Sequence, residues 1–301
     1  METKQLKLIV SVLALAMLAF PSSIGYAADP RIAISSVPYT ITSSGSYYLT
    51  DDLQIPSAND NAIHIDANNV TLDLMGFSLI GHAWSGNGCG IIISGQKNVE
   101  IRDGTIREFG GDGIYEDNGE AHRLINVRVV DNAGIGIDLG GGDHLVRSST
   151  VLGSGFGGIF VGANSSIKDC KITFNFGHGI ELSMGCTVMA NTVDFNLFHG
   201  IWTWGNCVVT DNIVSNNMLD GVAVEENGSL VKNNTVFLNF ENDIRVDGSH
   251  NVIEKNFISF SDCGIRIEKS GNFYANNRAT GNNTNYIIAP TNTDGSGNVS
   301  F

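Results

Sequence analysis

His178, His199 and Asp220 stand 21 residues apart, each immediately before a Gly, with Glu181, Trp202, Trp204 and Glu225 three or five residues further on in the same repeats. Imidazoles and carboxylates are the side chains that exchange protons near neutral pH. Trp, Tyr and Phe offer flat apolar faces to the C–H side of a sugar ring, while carboxylates, His and Arg hydrogen-bond its hydroxyls. No other part of the sequence concentrates this much chemistry, and the combination points to a glycan.

What aligns these residues is a Gly-Ile or Gly-Val pair recurring every 21 to 23 residues: Gly90-Ile91, Gly113-Ile114, Gly136-Ile137, Gly158-Ile159, Gly179-Ile180, Gly200-Ile201 and Gly221-Val222. Asp243-Ile244, Gly264-Ile265 and Tyr286-Ile287 carry the period towards the C-terminus. A period this short predicts a solenoid, because each repeat can bury its apolar residues only against its neighbours. Period-two alternation inside each repeat predicts short strands and no helix, so the fold class is all-β, a single domain of about ten coils with three short strands each. On the Gly-Ile strand the two aliphatic positions face inward. The residue between them therefore faces outward: Tyr115, Asp138, Phe160, Glu181, Trp202, Arg245 and Arg266 form one exposed row. Trp204, Glu225, Asp247 and Glu268 fall in the next outward row.

A second column supports the same frame. Asn126, Asn191, Asn212, Asn234, Asn256 and Asn277 align, with Asp103, Ser149 and Cys170 at the equivalent place. Asn tolerates a left-handed bend, and stacked amides can hydrogen-bond along the column. With these columns, the stretch Val70-Thr-Leu-Asp-Leu-Met-Gly-Phe-Ser-Leu-Ile-Gly81 and the stretch Ile101-Arg-Asp-Gly-Thr-Ile-Arg-Glu-Phe-Gly110, the chain resembles the right-handed parallel β-helix repeat proteins, in an exported bacterial branch of the pectate-lyase-like superfamily. The resemblance implies a right-handed parallel β-helix whose substrate groove runs along the Gly-Ile strand face. It leaves activity open, since the fold hosts lyases, hydrolases, epimerases and non-enzymatic proteins. The Asp-Pro-His-Asp signature of alginate epimerases and the paired Asp of polygalacturonases are absent, which disfavours both. No Arg lies between clustered Asp residues as in a pectate lyase.

Within that groove the residues allow several chemistries. Asp138 and Glu181 are two coils apart, about 9.6 Å at 4.8 Å per coil, at the edge of the spacing of an inverting glycosidase. A lyase would use His178 or His199 as base and Arg245 or Arg266 to neutralise a uronate. His178, His199 and Asp220, with Glu181 near, could instead hold a divalent cation. Tyr115, Phe160, Trp202, Trp204, Glu225, Arg245 and Arg266 would line the substrate. The plainer alternative is that polar residues at bends are solvated turn formers, and that the Trp pair is an oligomer contact.

Compartment follows from the first residues. Lys4 and Lys7, the apolar run Leu8 to Phe20 and the small residues before Ala28 predict a secretory leader over residues 1–27. A cap region over 28–60, the β-helix over 61–288 and a polar tail over 289–301 follow. The expected location is secreted, periplasmic or at the cell surface, with no membrane insertion after cleavage. The net charge of −14 argues against nucleic acid and disfavours polyanions unless a cation or an Arg pair intervenes. Of five Cys, only Cys186 and Cys207 should stack on adjacent turns, as a disulfide or as two buried thiols. Three functions remain: an exported protein that binds and cleaves or remodels a polysaccharide, a non-catalytic envelope glycan-binding or structural protein, and a periplasmic metal-handling protein.

Overall fold

The repeat closes into coils because each of its three short segments buries alternate side chains on one side. In the repeat beginning at Gly179 the segments are the strands Ile180–Leu182, Thr187–Met189 and Thr192–Asp194. The computed structural model describes residues 30–301, so the expected leader lies outside the described residues. Among the described residues every regular element is a strand, none a helix. No helix there is long and apolar enough to cross a membrane.

The Gly-Ile strands form one sheet of 12 parallel strands, and the other segments form a second system of 23. The stack is a right-handed parallel β-helix of about twelve turns, two more than the repeat count predicts. Residues expected to cap the stack are themselves coiled: Tyr39–Ile41 pairs with Ile63–Ile65, and Gly45–Leu49 with Val70–Asp73. At the other end Thr293–Asp294 and Val299–Ser300 continue the pairing inside the expected tail. These end coils lack the Gly-Ile signature because their lengths differ, so the period does not reveal them.

Register follows the Gly count. Ile180 pairs with Ile159 and Ile201, and Leu182 with Val161 and Thr203, all of them buried. The last coil departs by one residue: Ile265 pairs with Tyr286, not Ile287, so Tyr286 takes an Ile place rather than a Gly place. The Gly itself is required by close approach. A Cβ on Gly179 would meet Val193 Cγ1 at 2.5 Å and the Gly200 carbonyl at 2.7 Å.

The Asn column is an interior ladder with a different local cause from the one expected. Asn191, Asn212, Asn234, Asn256 and Asn277 are buried, and each Oδ1 from Asn212 onward accepts both the backbone N–H and the side-chain N–H of the Asn one coil earlier, at 3.0 Å. The left-handed residue is the one before: Ala190, Asp211, Asn233, Lys255 and Asn276 have φ between 55° and 59°. Asn126 and Asp103 belong to that exposed left-handed position, with φ of 55° and 57°, and not to the ladder. Replacing Asn234 by Ala strips partners from Asn212, Asn256 and the Val209 carbonyl together. Leaving such buried groups unpaired costs about 3 kcal/mol or more, which a urea titration of the variant against the parent should register.

All five cysteines are free thiols. Cys186 and Cys207 are buried and donate to the carbonyls of Gly162 and Gly205, each at 3.2 Å.

Candidate functional site

On the Gly-Ile sheet the outward row is continuous. Tyr115 pairs with Asp138, Asp138 with Phe160, Phe160 with Glu181, and Glu181 with Trp202. Ala223, Arg245 and Arg266 extend it. Three groupings divide this row.

Asp138 and Glu181 flank Phe160. Burial pushes the Asp138 carboxyl up, and the charges of Asp112, Glu116 and Glu181 add to this, bringing it to about 7. Burial also raises Glu181 above the usual carboxylate range. Two carboxyls held high by a poorly solvated, like-charged setting share their protons, so near neutral pH one is an acid and the other an anion. A cleft of about 30 Å³ opens between Phe156, Phe160, His178 and Glu181, room for a water or two.

Beside it lies a stack of rings. His178 is parallel to His199 at 5.2 Å and to Trp202 at 4.9 Å, and Phe198 meets its edge at 5.4 Å. Burial, then the neighbouring His199, lowers His178 to about 4, so its ring is neutral across the physiological range. Trp204 is 47% exposed and tilts against Trp202 at 5.6 Å, leaving a broad apolar face open to solvent.

The third grouping is a closed ionic clamp. Arg245 gives Nε to Asp220 at 2.7 Å, Nη2 to Glu225 at 2.7 Å and Nη1 to Asp247. Trp202 Nε1 donates to the same Glu225 oxygen at 2.8 Å. Asp220 is buried and also receives the Asn242 side chain at 2.6 Å, while His199 Nδ1 lies 3.3 Å from its second oxygen. Burial would raise Asp220, but the His199, Arg245 and Asn242 contacts outweigh it and hold the carboxyl near 2. Glu225 is likewise lowered by Trp202 and Arg245 against its partial burial. Arg266 pairs with Glu268 on the exposed surface.

The structure thus brings Asp138, Phe160, Glu181, His178, His199 and Trp202 onto one stretch of face, and sets Arg245 and Asp220 to holding each other. His178 and His199 stack ring on ring, and Asp220 is engaged on both oxygens, so the expected cation ligands already serve other contacts. Sequence reasoning missed Asp247 and Asn242 as parts of the clamp, because their bonds run between coils. It also missed an apolar pocket of about 480 Å³ on the preceding bend, where Phe174 and Phe195 stack at 5.0 Å and Trp84 closes one end against Phe176. The repeated Phe-Asn-Phe and Phe-Asn-Leu triplets were its signal. Glu116, with His122 and His144, was missed as well, although a carboxylate in the inward Ile column is conspicuous once the register is drawn.

Comparisons with known proteins agree with this architecture. The family described as the right handed beta helix region matches residues 41–198 and 157–300. Among solved structures, the A-module of the Azotobacter vinelandii mannuronan C-5 epimerase AlgE6 superposes with a TM-score of 0.75 at 13% identity, covering 90% of each chain. The periplasmic alginate epimerase AlgG gives 0.57 at 13% identity over 90% of this chain and 77% of that one. The catalytic unit of a GH87 α-1,3-glucanase from Streptomyces thermodiastaticus gives 0.57 at 15% identity over 89% and 62%. No curated protein matches in sequence. At these identities the likeness is one of fold.

Proposed function

The chain belongs to the right-handed β-helix family, and from that premise we propose that it is an exported protein that binds a neutral polysaccharide along the Gly-Ile face and hydrolyses it, with Asp138 as general acid and Glu181 as the base that orients water. The observation that carries this reading is the pair of raised carboxyls two coils apart across Phe160. Their backbone spacing, about 9.6 Å at 4.8 Å per coil, leaves room for a sugar ring and a water when the side chains lean inward. Phe160, Trp202 and Trp204 supply ring faces for neighbouring sugars, and the neutral His178 supplies a hydrogen bond without a charge.

Polysaccharide is the common substrate class in the names of the structural neighbours, two of them epimerases and one a glucanase, which supports a glycan and leaves the reaction open. The state of Arg245 favours hydrolysis over uronate chemistry. A lyase or epimerase needs a cation to meet the substrate carboxylate, and all three arms of Arg245 are already on Asp220, Glu225 and Asp247. The net charge of −14 adds to the barrier for a polyuronate.

Incubating the protein with neutral glucans and with mannuronan or pectate separates the cases. New reducing ends from a neutral glucan, with no unsaturated product, are expected. Unsaturated or epimerised uronates as the sole product would overturn the hydrolytic assignment. Silence on every polymer with binding retained, and abolished by Trp204→Ala, would establish the non-catalytic glycan-binding protein in its place.

A further inference from the structure

Glu116, His122 and His144 meet inside the rod, each at most 2% exposed. Glu116 occupies the inward place that Ile93 and Leu139 hold in the adjoining coils. The two imidazoles stack at 5.0 Å, His144 Nε2 lies 3.5 Å from the Glu116 carboxylate, and one donor atom from each residue falls within 4.8 Å of the others. Two His and a carboxylate at that range make a donor set suited to a transition metal.

The tautomers decide otherwise. His122 Nδ1 accepts the N–H of Val99 and His144 Nδ1 accepts the N–H of His122, both at 3.2 Å. This is the work Ser165, Ser229, Asn251 and Asn272 do further along the same column, each capping the backbone N–H of the residue one coil earlier. A ring nitrogen that accepts carries no proton, so each neutral imidazole has its proton on Nε2. A protonated Nε2 cannot ligate a metal. Moving the proton to Nδ1 would leave it opposed to a buried backbone N–H, at the cost of two interior hydrogen bonds. Neither Nε2 has another partner among the described residues. Glu116 meanwhile receives the N–H of Gly119 and, at 3.1 Å, that of Gly141. A carboxylate has about four acceptor sites, and two backbone donors with two imidazole donors fill them.

Gly141 belongs to the turn that ends Ile135–Leu139, the strand bearing Asp138, and the Gly140 N–H bonds the Glu116 carbonyl at 2.8 Å. We propose that Glu116, held by His122 and His144 as Nε2–H donors, is a metal-free buried carboxylate that acts as a positioning residue for Asp138, fixing its turn and keeping a negative charge behind it. Its use in catalysis rests on the acid role proposed for Asp138; the cage itself does not. The other charged groups facing it are Asp117 on its own turn and Asp143 beside His144, while Asp112 and Glu181 flank Asp138. Burial is the main reason Asp138 stays protonated, with the Glu116 charge a contributor after Asp112.

Two measurements on the full chain test this without any activity readout, so failure on glycans leaves the result interpretable. Long-range ¹⁵N correlation spectra at pH 7 should show both rings as neutral Nε2–H tautomers. An Nδ1–H tautomer at either ring, or stoichiometric Zn²⁺ binding by calorimetry, overturns the cage. In a ¹³C carboxyl titration, Glu116→Gln should lower the Asp138 midpoint by about one pH unit. His144→Asn, which keeps an acceptor for the ladder as Asn251 does, should shift it the same way by less, because Glu116 then takes up a proton more readily. An unchanged Asp138 midpoint in either folded variant overturns the positioning role.

Discussion

Asp138→Asn should lower glycan cleavage by about 10² to 10⁴-fold while leaving polymer binding close to that of the parent, the range expected on removal of a positioned general acid. The side chain keeps its size and its place beside Phe160, so the loss falls on proton delivery to the leaving oxygen. The pH profile carries the sharper information. Asp138 must hold its proton to act, so activity declines as pH rises through about 7, where that proton leaves. Glu181 must be ionised to act as base, so the acid limb reflects its raised carboxyl. Because the two interact, the limbs belong to the pair, and assignment comes from the variants. In Glu181→Gln the acid limb should flatten, and in Asp138→Asn the alkaline limb should vanish from whatever activity remains. His178 loses its proton at about 4, below both limbs, and should leave no inflection between pH 5 and 8. An Asp138→Asn variant that keeps half the parent rate, or an alkaline limb that survives it, sinks the assignment.

How far this site could be read from the sequence depends on the direction of the contacts. Contacts along the strands follow the Gly count, and so the row Tyr115, Asp138, Phe160, Glu181 and Trp202 was legible before any coordinates. A period fixes which residues stack, because parallel strands in register bring equal offsets together. It does not fix where a long side chain goes once it leaves the backbone. Arg245 reaches back to Asp220 and Glu225 in the coil before it, and that reach converts an apparent substrate cation into an internal clamp. The Asn ladder shows the same limit on a smaller scale. Asn126 and Asn191 look equivalent by composition, but the chain takes its left-handed step one residue earlier in the later coils, so one amide faces solvent and the other the core. The end coils escaped notice for a third reason: their lengths vary, and a fixed period cannot count them.

Asp243→Asn should stabilise the protein on the order of 2–4 kcal/mol at pH 8 and hardly at all at pH 4. Asp243 stands where the preceding coils have Gly179, Gly200 and Gly221, and it is completely buried. Its Oδ1 accepts the Asn239 side chain at 2.9 Å and the Ser261 hydroxyl at 2.5 Å, while Oδ2 has no partner among the described residues. Burial pushes the carboxyl to about 8, and those two hydrogen bonds recover only part of the shift. In the unfolded chain the same group ionises near 3.9. Between about 4 and 8 the folded state therefore holds a proton that the unfolded state has released, and stability falls as pH rises through that window. Below it both states are protonated and the penalty is absent. Asn keeps the accepting oxygen and has no charge to bury, so the fall should disappear, though its second N–H finds no better partner than Oδ2 did and trims the gain. Urea titrations of parent and variant at pH 4, 6 and 8 should give curves that coincide at the lowest pH and separate progressively above it. A constant offset at all three values would mean that Asp243 is ionised in the folded rod, and that its two hydrogen bonds suffice to hold a charge there.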